Sequence, residues 1–214
     1  MKYEKIMIAA GYEPTTAHTG KMKGLHSIST SPLCNGQCLK NAELENSICS
    51  NCYSFKMMKQ YKALAGKMAR NSERLRKPLA PAEIPENIKT PSGYFRFESF
   101  GDVGTVTQAE NYIKIAAANP GVKFAAWTKN PKYYIKAVEN IGKPKNLILI
   151  QSSLYINKPV KKAAACFNYT FTVYGKQFAK DNNINITCGA RSCASCGKCY
   201  TGSHDSENIA ELLK

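Results

Sequence analysis

The placement of cysteine constrains this chain more than any other feature. Four thiols, Cys34, Cys38, Cys49 and Cys52, fall within nineteen residues, in a stretch with little apolar content of its own to bury. Four more, Cys188, Cys193, Cys196 and Cys199, fall within twelve residues near the other end. A ninth, Cys166, stands alone before an alternating run and reads as a small buried hydrophobe. An odd total grouped around Cys-x2-Cys pairs favours metal binding over a disulfide framework. With 214 residues, 43% of them hydrophobic, the chain can build a core without disulfides. The expected setting is therefore a reducing cytoplasm. The N-terminus shows no signal-peptide pattern, and no run approaches the roughly 18 apolar residues of a membrane span.

The segments between the two groups carry βα rhythm. Residues 1–25 read as an extended leader, 26–187 as the body and 188–214 as a metal-binding extension of one domain. Strands are expected at 26–30, 93–100, 122–128, 146–153, 167–174 and 183–187. Their signals are alternating or continuous apolar residues bounded by Gly, Pro and Asn. Phe55, Met58, Tyr61, Leu64 and Met68 recur at helical spacing after Cys52. Helices are also expected from Thr107, where Thr-Gln-Ala-Glu has capping-box form, and from Asn130-Pro131. Pro78, Pro81, Pro85 and Pro91 mark a loop or linker, and residues 205–214 read as a short helix. This spacing predicts an α/β fold, an open partial (β/α)6 barrel of TIM type. Both cysteine groups would follow strand ends on the C-terminal face, where such folds place chemistry.

The spacing Cys188-x4-Cys193-x2-Cys196-x2-Cys199 puts four thiolates in one compact wrap, with Gly189 and Gly197 for tight turns. Its opening matches the first three ligands of a plant-type ferredoxin, so an iron–sulfur cluster is expected, with tetrahedral zinc as the alternative. In the first group Cys49-x2-Cys52 is a firm pair, for which Cys34 and Cys38 compete. Three thiolates on a [4Fe–4S] cluster leave one iron open, the mark of a catalytic rather than a structural site. Cys34, Cys49 and Cys52 are taken as the trio, with Cys38 beside it. Glu98 and Asp102 are candidate catalytic carboxylates, and Arg96 shares a strand face with Glu98. Lys129 is a candidate anion contact, Trp127 reads as core, and His18, His26 and His204 read as isolated. A formal charge of +15, from 30 Lys and Arg against 15 Asp and Glu, favours a nucleotide or nucleic-acid partner; a merely Lys-rich surface would give the same number.

A short first strand, a cysteine loop closing on Cys49-Ser-Asn-Cys52-Tyr53 and a six-unit βα pattern resemble the radical S-adenosylmethionine superfamily. The usual loop there is Cys-x3-Cys-x2-Cys, and only its second half fits here. The resemblance implies an open [4Fe–4S] cluster, bound S-adenosylmethionine, an electron donor and hydrogen abstraction from a substrate. It implies cofactor contacts at Tyr53, at the turn Ser99 to Asp102 through Gly101 and Asp102, and at Gln151, Ser152 and Ser153. It also makes the last four cysteines similar to an auxiliary-cluster motif. The stretches Arg96 to Asp102, Trp127 to Asn130, Cys49 to Ser54 and Cys188 to Tyr200 resemble small cysteine-rich proteins of phages and gut bacteria, a resemblance that implies a phage-encoded protein in a host cytoplasm and no particular activity. Two other readings stand beside the enzyme: a zinc or iron–sulfur nucleic-acid-binding protein, and an electron-transfer protein.

Overall fold

The structure, a computed structural model, describes residues 3–213; Met1, Lys2 and Lys214, the ends of the expected leader and tail, lie outside the described residues. The elements in chain order are α1 (Tyr3–Ala9), β1 (Thr15–Thr16), β2 (His26–Ile28), α2 (Gly36–Glu43), α3 (Tyr53–Gln60), α4 (Lys62–Leu75), β3 (Tyr94–Phe97), α5 (Val106–Ala117), β4 (Lys123–Thr128), α6 (Pro131–Ile141), β5 (Leu147–Ser152), β6 (Tyr169–Tyr174), α7 (Lys176–Asp181), α8 (Cys193–Cys196), α9 (Lys198–Thr201) and β7 (Asn208–Leu212). The seven strands form one open sheet in sequence order. β1 pairs antiparallel with β2, and every later pair is parallel.

Alternation along the strands sends side chains to two different cores. Phe95 and Phe97 of β3, Phe124 and Ala126 of β4, and Leu147 and Leu149 of β5 face α1, α4, α5 and α6 in the larger core. There Phe97 stacks between Tyr112 and Phe124, with ring centroids 4.4 and 5.2 Å away. The opposite residues, Ala125, Ile148 and Ile150, meet Tyr200 of α9 and Ile209 of β7 in a second core. β5 is buried on both faces, which explains its unbroken apolar run.

Several expectations are corrected. The N-terminal segment is not an extended leader: it forms α1 and β1, and Tyr3, Met7 and Tyr12 are core residues. The helical run after Cys52 is not continuous: it breaks at Tyr61 into α3 and α4. α5 is capped by Thr105, whose side chain accepts from the Gln108 N–H, not by Thr107. The proline-rich segment is no free linker, since Leu79 and Ile88 are buried in the larger core. Residues 183–187 are not a strand, and the expected C-terminal helix is β7 instead. The segment meets the sheet at Ala210, whose carbonyl accepts from the Thr187 and Cys188 N–H groups and whose N–H donates to Thr187 Oγ1. The sheet does not close, so the structure shows a mostly parallel seven-stranded α/β sheet and no completed barrel.

Candidate functional site

Past the C-terminal ends of β2 to β5 lies a cavity of about 600 Å³. Cys38, Cys49 and Cys52 line one side of it and Cys188, Cys193, Cys196 and Cys199 the other. Such a volume suits a small-molecule site. The two groups reach it by different routes.

The first group follows β2. Ser31 and Asn35 cap successive turns, their side chains accepting from the N–H groups of Leu33 and Gln37. Asn35 also donates to Asp102 O at 2.9 Å, which ties the turn to the loop after β3. Cys38 lies in α2 and turns inward. Cys34 lies in the preceding turn, outside the cavity lining, where its carbonyl accepts from Arg76. The structure thus brings Cys38, not Cys34, to Cys49 and Cys52. The segment that carries that pair is pinned at Ser47, whose hydroxyl donates to Asn41 O at 2.7 Å, and at Ile48, whose N–H donates to Leu154 O. Cys52 N–H bonds back to Cys49 O, closing a turn that opens α3.

Lys129, at the end of β4, faces these thiols. Burial works to lower its pKa, but Cys49, Asp102, Cys38 and Cys52 raise it on balance. Burial pushes the Cys38 and Cys49 thiols up; Asp102 adds to the rise at Cys38, and Lys129 opposes it at both. One cation among three thiols and a carboxylate lowers the cost of holding negative charge there.

Asp102 and Glu98 line the same cavity but are heavily engaged. Asp102 accepts from the N–H groups of Val103 (2.7 Å) and Lys129 (2.9 Å). Glu98 sits at φ 59, which swings its carboxylate away from the Arg96 side of the strand. It accepts from Thr30 N–H, Thr30 Oγ1, Gln108 Nε2 and Tyr112 Oη, at 2.5–3.0 Å. The expected Arg96–Glu98 carboxylate pair is absent; Arg96 Nε reaches only Glu98 O, at 3.4 Å. Glu98 therefore fastens the start of the cysteine loop to α5. Gly101 is fixed by crowding: a Cβ there would lie 2.5 Å from Thr30 O. Tyr53 donates to Ser99 O and Ser152 lines the cavity. Ser153 and Gln151 do not: the Ser153 hydroxyl bonds to Tyr155 O and Lys158 O, and Gln151 accepts from Ala164 N–H.

The second group lies across the cavity face of the sheet, α9 packing on β4 and β5, rather than on a loop following a strand. Lys21, which sequence reasoning left in the leader, donates to Cys188 Sγ at 3.0 Å and to Glu211 at 3.0 Å. Burial opposes its charge, but these two partners raise its pKa overall. Lys21 O accepts from Cys193 N–H. Gly197 turns the chain between α8 and α9 at φ 63, where a Cβ would strike Tyr94. His204 Nε2 lies 3.2 Å from Cys199 Sγ, so it is not isolated; its signal was the x4 spacing after Cys199. Burial pushes the Cys199 thiol up to about 12. All nine thiols are free. Among the described residues, no three His, Cys, Asp or Glu side chains converge closely enough to hold a single metal ion. Among the same residues, no helix is long and apolar enough to cross a membrane.

Fold and site together define an α/β protein whose parallel sheet carries two cysteine groups on one cavity. Residues 9–202 match the model of the gene product 88 family (GP88), and the chain belongs to that family. The family designation is consistent with the resemblance to phage proteins. No curated protein and no solved structure matches the chain significantly.

Proposed function

We propose that the chain is an iron–sulfur enzyme of radical S-adenosylmethionine type, acting on a nucleotide or a related anion. The observation that carries this reading is that the three thiols of one group and the four of the other line a single cavity at the C-terminal ends of parallel strands. A sequential parallel order from β2 to β7 is what a partial (β/α)6 barrel would need.

Cys38, Cys49 and Cys52 would hold a [4Fe–4S] cluster with one iron left open. The donor set fits such a group in chemistry: three thiolates are one short of the four that close a [4Fe–4S] cluster. Bound there, the cluster would supply the electron that cleaves the sulfonium of S-adenosylmethionine. The chain's own residues then have clear tasks. Lys129 offsets thiolate charge. Asp102, with acceptor capacity beyond its two backbone bonds, faces an ammonium group. Ser152 offers a hydroxyl from the end of β5, and Tyr53 holds the turn at Ser99. The last four cysteines would hold a second cluster, with Lys21 on Cys188 to offset its charge.

Anaerobic reconstitution followed by electron paramagnetic resonance tests the proposal. S-adenosylmethionine should shift the signal of one cluster. Cys38→Ser should remove that signal and Cys34→Ser should keep it. Loss in the Cys34 variant alone, or a signal indifferent to the cofactor, would refute this assignment.

A further inference from the structure

Between the two cysteine groups the cavity holds a second, cysteine-free set of side chains: Arg96, Trp127, Phe171 and Tyr200. Arg96 and Trp127 project from the cavity faces of β3 and β4, and the guanidinium carbon lies 4.0 Å from the centre of the indole ring. Among the described residues Arg96 has no carboxylate partner; its contacts are Glu98 O and Met22 Sδ, both at 3.4 Å. A half-buried guanidinium without an anion is unusual, because its charge is costly to desolvate alone. Tyr200 is 3% exposed and packs its ring on Tyr94 and Trp127. Its hydroxyl is buried with no hydrogen-bond partner among the described residues. Tyrosine hydroxyls in such positions normally find one. Among the described residues, the cation in this aromatic-walled cavity thus lacks the anion that its chemistry calls for.

We propose that Arg96, Trp127 and Tyr200 form a binding subsite for a planar ring that carries a phosphate or carboxylate, of which a nucleoside monophosphate is the test case. The guanidinium matches an oxyanion with two parallel hydrogen bonds. The indole, Phe171 and the guanidinium plane present flat surfaces for a ring. Tyr200 backs the indole with its ring. Naming this ligand as the enzyme's substrate rests on the function proposed above; the subsite itself rests on the geometry of these side chains. Arg96 also lies within electrostatic reach of Cys193 and Cys199, so neutralising those thiolates is the rival role that the test must separate.

Trp127 is the only tryptophan in the chain, which makes its fluorescence a local reporter. The full-length protein would be titrated with adenosine and uridine 5′-monophosphates, with the matching nucleosides and with inorganic phosphate, while iron is measured on the same preparations. Saturable change with the monophosphates, at least ten-fold weaker binding of the nucleosides and of phosphate, and loss of the response in Arg96→Gln support the subsite. Tyr200→Phe, which keeps the ring packing and removes a hydroxyl closed to the cavity, should bind the monophosphates as the wild type does. Equal response to nucleoside and monophosphate, or to phosphate alone, would overturn it. So would an Arg96→Gln variant that loses iron but binds nucleotide as the wild type does. The arms are independent of the cluster assignment: absent iron with intact nucleotide binding defeats the radical-enzyme reading and leaves the subsite standing.

Discussion

Glu98 shows how one side chain sets the base of the site. Four donors converge on its carboxylate from the end of β2 and from α5, an arrangement that suits the anion. Burial nevertheless lifts its pKa from 4.5 to about 7, with the hydrogen bonds from Tyr112 and Thr30 opposing the rise. A carboxyl whose folded pKa exceeds its unfolded value binds more protons when folded, so its contribution to stability declines as pH climbs from about 4.5 through 7. Replacement by the isosteric amide removes that dependence. The unfolding free energy of Glu98→Gln relative to wild type should rise by on the order of 3 kcal/mol between pH 4.5 and pH 7.5, read from urea midpoints. A constant difference across that range would show that Glu98 stays ionised throughout. Residue identity alone made Glu98 a candidate catalyst; its positive φ and its four partners, by which it fastens the cysteine loop to α5, are not legible from a Phe-Glu-Ser triplet.

At the level of elements, α4 acts as a bracket between the N-terminal segment and the sheet. Asn71, fully buried, donates through Nδ2 to Glu13 O and Ser29 O and accepts from Glu13 N–H through Oδ1. Ser72 on the same helix accepts from Ser31 N–H, the residue that caps the first cysteine turn. Changing Asn71 to Ala would strand buried main-chain groups on two elements. It should cost about 2–3 kcal/mol, seen as a lowered thermal midpoint with faster amide exchange at Glu13 and around Ser29. Unchanged exchange at those positions would refute the bracket. Helices α3 to α6 were readable from their apolar spacing and end signals, and so were the strands at 94, 123, 147 and 169; α1, α2, α8 and α9 were not. The last strand was not. Residues 183–187 alternate like a strand but remain outside the sheet, whereas Asn208–Leu212, rich in helix-forming Glu and Leu, takes the place beside β6. Strand formation at an edge is settled by the available pairing partner, which local propensity does not contain.

For the whole molecule, the two cysteine groups hang on different parts of the frame. The first is braced by β2, α4 and the loop after β5; the second by Lys21 and β7. Groups held by different hydrogen-bond partners should respond to mutation additively. If each holds a four-iron cluster, reconstituted wild type carries about eight irons per chain. Cys49→Ser and Cys199→Ser should each retain about half of that, and the double variant almost none. Complete loss in either single variant would mean that the seven thiols serve one site.

From the sequence alone came the sulfur-rich character of the site, its division into two groups, the βα rhythm between them and the location of Asp102, Lys129 and Ser152 at strand ends. These follow from spacing and periodicity, which are local properties of a chain. Only the tertiary structure put Cys38 rather than Cys34 on the cavity, drew Lys21 and His204 to the second group and, among the described residues, left Arg96 without a carboxylate and the Tyr200 hydroxyl without a hydrogen-bond partner. Each of those outcomes depends on which face of an element meets which neighbour across tens of residues, and that is fixed by packing of the whole sheet.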